Sequence, residues 1–161
     1  MRILVTGTAG FIGFQLANRL AAEHEVYGLD NINDYYDVNL KFDRLKEAGF
    51  PVGEQVSGIF ESSAYSRYLF EKADLADKEK MERIFKDFQP EIVINLAAQA
   101  GVRYSLTHPQ AYVDANITGF LNVLEACRHH EVKHLLYASS SSVYGLNKKM
   151  PFPYPVRSIT R

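Results

Sequence analysis

The sequence predicts a doubly wound α/β fold built on a parallel sheet. Strand-like apolar runs alternate with helical segments five times along the chain. The run 92–97 is apolar but for Asn95, as suits a parallel strand covered on both faces. A glycine-spaced turn joins the first strand to the first helix. In order, Arg2–Gly7 is a short β-branched run ending on glycine, and Phe11–Leu20 follows with Ile12, Leu16 and Leu20 at helical spacing. Glu25–Asp30 reads as the second strand. Val38–Ala48 reads as a helix closed by Gly49 and Pro51. The Gly- and Ser-rich stretch Gly49–Arg67 reads as a surface loop. Tyr68–Ala73 is the third strand, and an acidic helix starts at Asp77 and runs to Phe88. Ile92–Ala97 is the fourth strand. Pro109 opens a long helix to about His130, and Val132–Ala138 is the fifth strand.

At 161 residues the chain has the length of one domain, since domains run to ~150 residues. Its 47% hydrophobic and 23% charged content is ordinary globular composition. A net charge of −1 without a Lys/Arg block points away from nucleic acid and from anionic membranes. Cys127 is the single cysteine, which excludes an internal disulfide and a Cys-rich metal site. The start Met-Arg-Ile-Leu-Val-Thr-Gly has no apolar core of a signal peptide, so a cytoplasmic location is expected. The expected domain covers 1–150. Three prolines within Pro151–Pro155 continue neither sheet nor helix, so 151–161 is expected to be a disordered tail.

Gly7-Thr-Ala-Gly10-Phe-Ile-Gly13 lies between strand one and helix one, where a dinucleotide site needs it. In such a turn the first glycine makes the bend and the second lets backbone approach a pyrophosphate. The third lets helix and strand pack closely, and the helix N-terminus supplies amide donors. Asp30 ends strand two, where a carboxylate accepts from the ribose hydroxyls of NAD and repels the 2′-phosphate of NADP. A glycine triplet alone is a weak signal; placed this way it makes the expected fold Rossmann-like.

The segments VTGTAGFIG, LDNINDYYDVNLK, NLAAQAGVRYS and YASSSSVYG resemble the NAD-dependent epimerases and dehydratases of nucleotide sugars, most closely the UDP-glucuronate 4-epimerases. The stretch DNINDYYD is the most discriminating, and the resemblance covers roughly 1 to 152. It implies that Gly7, Gly10, Phe11, Ile12 and Gly13 hold the pyrophosphate, and that Asp30, Asn31 and Asn33 line the adenosine ribose. It places Asp74 and Leu75 by the adenine, and Leu96, Ala97 and Ala98 beside the cofactor. Asn116 is implied to fix the active-site helix. Ser140 takes the catalytic Ser/Thr position, with Ser141, Ser142 and Arg103 on the sugar carboxylate. For Asp74 a helix-start cap, and for Arg103 a solvated surface position, stand as alternatives. The implied reaction interconverts UDP-glucuronate and UDP-galacturonate through a 4-keto sugar, with a homodimer as the full-length assembly.

In that family the base is a Tyr followed by Lys one helical turn later. Tyr68/Lys72 falls in a predicted strand, and Tyr144/Lys148 in a poor helix former, so neither is expected to serve. The chain is expected to lack the pair and the C-terminal substrate domain, and to be inactive alone. Its ending suggests a lost base between the codons of Phe152 and Val156. With assumed codons GTT CGG TCG ATC ACC CGG for 156–161, the shifted frame gives Ser-Val-Asp-His-Pro, with which relatives continue. Another sugar epimerase or dehydratase, or an NAD-binding module without turnover, remains open.

Overall fold

The computed structural model of the chain describes residues 1–52, 58–140 and 143. Strand β1 (Arg2–Thr6) leads through the glycine turn into helix α1 (Phe11–Ala21), then β2 (Glu25–Asp30) and α2 (Val38–Glu47). A short β3 (Ile59–Glu61) precedes β4 (Tyr68–Lys72), α3 (Lys78–Phe88) and β5 (Ile92–Asn95). Then come α4 (Val102–Thr107), α5 (Pro109–Tyr112), a π-helical segment (Val113–Gly119), α6 (Phe120–His129) and β6 (His134–Tyr137).

The sheet order is β3-β4-β2-β1-β5-β6. All neighbours pair in parallel except β3 with β4, which are antiparallel. The five parallel strands are the expected ones. The sixth corrects the reading of 49–67 as loop alone: Ile59–Glu61 adds an edge, with Phe60 opposite Phe70. Three residues in a Gly/Ser-rich stretch show no periodicity, and the pairing comes from the neighbouring strand.

Core formation follows the alternation. On one face α1 and α2 bring Phe14, Ala17 and Leu45 against Ile3, Val5, Val26 and Phe70. On the other, α3 and α6 bring Met81, Phe85 and Val123 against Leu4, Leu29 and Val93. Each of these side chains other than Ala17 contributes ~1.5–3 kcal/mol on burial. Asp77 caps α3 by accepting from the Lys80 amide at 3.0 Å, as its sequence position predicts. Gly49 at φ 85° closes α2, and a Cβ there would lie 2.5 Å from the Ala64 amide.

The single helix expected from Pro109 to His130 is two α-segments joined by a π-segment, with a further helix, α4, ahead of it. Apolar spacing does not distinguish a locally widened turn from an α-turn, and α4 buries none of its residues.

Candidate functional site

The chain leaves β1 for β2 and β4 on one side, then crosses back to β5 on the other. The carboxyl ends of β1 and β5 therefore flank a topological switch point, where open α/β sheets bind ligands. A cleft of about 210 Å³ lies there, lined among others by Gly7, Gly10, Asp30, Asn33, Asp74 and Ala97.

Its floor is fixed by Thr6, whose hydroxyl donates to Asn95 Oδ1 at 2.8 Å. The same oxygen accepts from the amides of Leu96 (3.2 Å) and Ala97 (3.1 Å), locking the exit of β5 to the end of β1. Thr6 and Asn95 are buried, and sequence reasoning passed over both; polar residues inside apolar strands were the signal. Gly7 turns the chain at φ 77°, its amide donating to the Leu29 carbonyl at 2.7 Å. A Cβ on Gly13 would sit 2.0 Å from the Gly7 carbonyl oxygen, so only glycine lets α1 start this close to the turn. The first helical bond of α1 runs from the Phe14 amide to the Gly10 carbonyl (3.0 Å), and Gly10 provides no side-chain cap. The amides of Phe11, Ile12 and Gly13 thus precede the helical ladder, with the positive end of the helix dipole behind them. This uncapped glycine cradle suits a pyrophosphate.

Asp30 is buried, 7% exposed, at the end of β2. Its Oδ1 accepts from the Ile32 amide at 2.8 Å and from Lys41 Nζ at 3.4 Å; its Oδ2 accepts from the Ala9 amide at 3.1 Å. Of a carboxylate's roughly four acceptor positions, three are taken inside the chain, leaving room for one hydroxyl rather than two. Lys41, equally buried, also donates to Asn33 Oδ1 at 2.9 Å. It was not singled out from the sequence. The available signal was its place on the stripe Val38–Phe42–Leu45, which α2 turns inward.

Asn31 donates to Asp74 Oδ2 at 3.2 Å and accepts from the Asn33 amide at 3.2 Å. Asp74 accepts from the Ala76 amide at 2.9 Å, a local turn ahead of α3, while the cap of α3 is Asp77. Leu75 is buried; its carbonyl accepts from Asn122 at 2.8 Å, which docks α6 beside the cleft. Leu96, Ala97 and Ala98 line the opposite wall. Asn116, in the π-segment, brackets Gln99 through two bonds, accepting from its amide (2.8 Å) and donating to its carbonyl (2.9 Å). Tyr35, also in the lining, meets Tyr104 edge-on at 4.9 Å, and Tyr104 stacks on His108 at 4.2 Å. Tyr112 donates to the Gly101 carbonyl beside them, and desolvation raises its phenol pKa.

Gly7, Gly10, Asp30, Asn31, Asn33, Asp74, Leu75, Leu96, Ala97 and Ala98 come together at the cleft. Phe11 and Ile12 lie at the mouth of α1 with exposed side chains. Arg103 is exposed on α4 and outside the lining, as is Ser140 beyond β6, whose carbonyl accepts from the Val143 amide at 3.1 Å. Ser141, Ser142, Tyr144 and Lys148 lie outside the described residues. Tyr68 is buried in β4, its phenol pKa raised by desolvation, so it presents no proton acceptor to the cleft.

Residues 3–158 match the NAD dependent epimerase/dehydratase family. The chain belongs to that family. It is 50% identical over 153 residues to Protein CapI of Staphylococcus aureus, covering 94% of this chain and 41% of that protein. It is 46% identical over 153 residues to a probable UDP-glucuronate 4-epimerase of Rhizobium meliloti, with the same coverages. Among solved structures, a Thermus thermophilus UDP-glucose 4-epimerase in complex with NAD superposes with a TM-score of 0.63 at 38% identity, over 87% of this chain and 38% of that one. This family member therefore spans about two-fifths of the length of the curated relatives it matches. Among its described residues no helix is long and apolar enough to cross a membrane.

Proposed function

We propose that this chain is the NAD-binding portion of a nucleotide-sugar 4-epimerase that interconverts UDP-glucuronate and UDP-galacturonate. The observation that carries the reading is the uncapped glycine cradle at the switch point, with a buried carboxylate at the end of the adjacent strand. The amides of Phe11 and Ile12 hold the pyrophosphate, Asp30 takes a ribose hydroxyl, and Asn31, Asn33, Asp74 and Leu75 surround the adenosine end. Leu96, Ala97 and Ala98 are small enough to admit the nicotinamide-side ribose. NAD, when bound, supplies the hydride acceptor and donor at the sugar's C4. Asn116 holds the loop after β5 in place through Gln99.

Ser140 is proposed to orient the reacting hydroxyl, and Ser141, Ser142 and Arg103 to meet the sugar carboxylate. The glucuronate assignment is supported by the 46% identity to the Rhizobium meliloti protein and by the DNINDYYD stretch. A homodimer is proposed for the longer protein, in keeping with the exposed apolar Ile117 and Leu121 on its outer helix.

A serine hydroxyl orients a substrate oxygen but does not accept its proton near neutral pH. The 161-residue chain is therefore proposed to bind NAD without epimerising, because general-base catalysis is worth ~10²–10⁴-fold. Calorimetry with NAD, and an assay for UDP-galacturonate formation from UDP-glucuronate, test both halves. Binding without turnover is expected. Absence of NAD binding overturns the site, and turnover by this chain overturns the proposed lack of a base. In a chain extended to the length of its relatives, Ser140→Ala should lower turnover strongly and leave NAD affinity nearly unchanged.

A further inference from the structure

Three donors converge on the Asp30 carboxylate: the Ala9 and Ile32 amides and the Lys41 ammonium. Together they form a cation-backed pocket for an anion, and the chain fills it with its own side chain. Lys41 and Asp30 have side chains only 5% and 7% exposed, and both line the cleft. Lys41 is held by Asn33 at 2.9 Å, closer than its 3.4 Å approach to Asp30, so its position does not depend on the carboxylate alone. The Tyr36 ring lies 5.2 Å from the ammonium. A second cation on α2, Arg44, donates to the Ala9 carbonyl at 3.0 Å and steadies the loop that presents the Ala9 amide.

We propose that Lys41 is a specificity-determining residue for the dinucleotide. With the Ala9 and Ile32 amides it forms a latent 2′-phosphate site that the Asp30 carboxylate occupies. The inference rests on the proposed NAD site and deepens it. A carboxylate at the end of β2 repels a 2′-phosphate, but here a buried ammonium offsets part of that repulsion. The preference for an unphosphorylated ribose is then the difference between two opposed charges. Removing the carboxylate leaves two amides and an ammonium facing the position of the 2′ substituent, a donor set that suits phosphate.

The test measures binding of NAD and of NADP to the whole chain by calorimetry for the wild type, Asp30→Ser, Asp30→Ser/Lys41→Met and Lys41→Met, with a thermal melt for each. Asp30→Ser should gain NADP affinity by about tenfold or more, the scale of one charge-assisted hydrogen bond. The gain should weaken with salt and vanish in the double variant, which removes both charges and leaves neither unpaired. Equal NADP affinity in Asp30→Ser and the double variant would overturn the role of Lys41, as would no gain in Asp30→Ser. Lys41→Met alone keeps the carboxylate and should raise the preference for NAD over NADP. An unchanged ratio overturns the proposal even where Asp30→Ser does not fold. A wild type that binds neither dinucleotide removes the NAD site itself, a result separate from any contrast among the variants.

Discussion

The two sides of the sheet are built from the same alternation and end up differently. Around β1, β2 and β4, side chains are covered on both faces; Leu4, Val5, Val26 and Phe70 have no exposed area. Across β1 the chain reaches β6, where Leu136 is 42% and Tyr137 57% exposed, and the neighbouring helix shows Ile117 and Leu121. The covered side also holds the dense polar network of Asp30, Lys41, Asn33 and Arg44, whereas β6 is tied on chiefly by ladder bonds to β5. A repeated βα pattern thus fixes topology equally on both sides, but burial, and with it local stability, is unevenly distributed.

The largest expected effect lies in the glycine turn. Gly13→Val drives a side chain into the Gly7 carbonyl, since even a Cβ would be 2.0 Å from it. It should abolish dinucleotide binding and cost several kcal/mol, with both losses read by calorimetry and chemical unfolding. Gly10→Val should also abolish binding but cost less in folding, because its Cβ would lie 3.0 Å from that oxygen and its φ of −77° is ordinary. If the two variants unfold alike, close packing at Gly13 is not what the third glycine provides.

Truncations on either side test the comparison directly. Phe70→Ala should cost ~3–5 kcal/mol through the cavity it leaves, and Leu136→Ala well under ~1 kcal/mol. Equal costs in urea unfolding would show that β6 is as firmly held as β4. Cys127, half-buried on α6, offers a finer probe. Burial pushes its thiol up to about 12, so at pH 8 it is almost wholly protonated. Alkylation should be slow, and should follow local opening of α6 rather than global unfolding. A labelling rate that matches global unfolding would erase the difference between the two sides.

The smallest effect concerns Glu91, at the start of β5. It accepts from Lys133 at 2.8 Å and from the Arg2 amide at 3.0 Å, and these hold its carboxyl at about 2 rather than 4.5. The folded-state value is depressed, so this contribution is complete above pH ~4.5 and lost as pH falls toward 2. Glu91→Gln should flatten the acid limb of a thermal-unfolding profile slightly, and no change there would mean the contact is fully screened.

Much of this was readable in the residues. The five parallel strands, the glycine turn and Asp30 have local signatures: β-branched runs, fixed glycine spacing, and a carboxylate at a strand end. What escaped was set by distance in space. Strand β3 exists because β4 offers it a partner, and Thr6 and Asn95 meet only when β1 and β5 pair. Lys41 was passed over because a lysine in an amphipathic helix usually belongs to its solvated face, and here the buried stripe includes it. The π-segment is a matter of hydrogen-bond register, which composition does not encode.

That π-segment makes a change of chain length there asymmetric. A widened turn accommodates one residue more than the α-ladder would, so the segment acts as an inserted shim. Deleting one residue within 113–119 would let the α-ladder close with the phase of α6 kept, whereas inserting one more would rotate everything downstream by ~100° relative to α5. Val123 and Ala126 would swing off the sheet, and Asn122 would lose the Leu75 carbonyl. Point substitutions at the exposed Val113 or Ile117 leave that phase untouched. In a library of variants, this stretch should tolerate changes of letter outside Asn116 and Gly119, accept the loss of one residue and reject a further insertion.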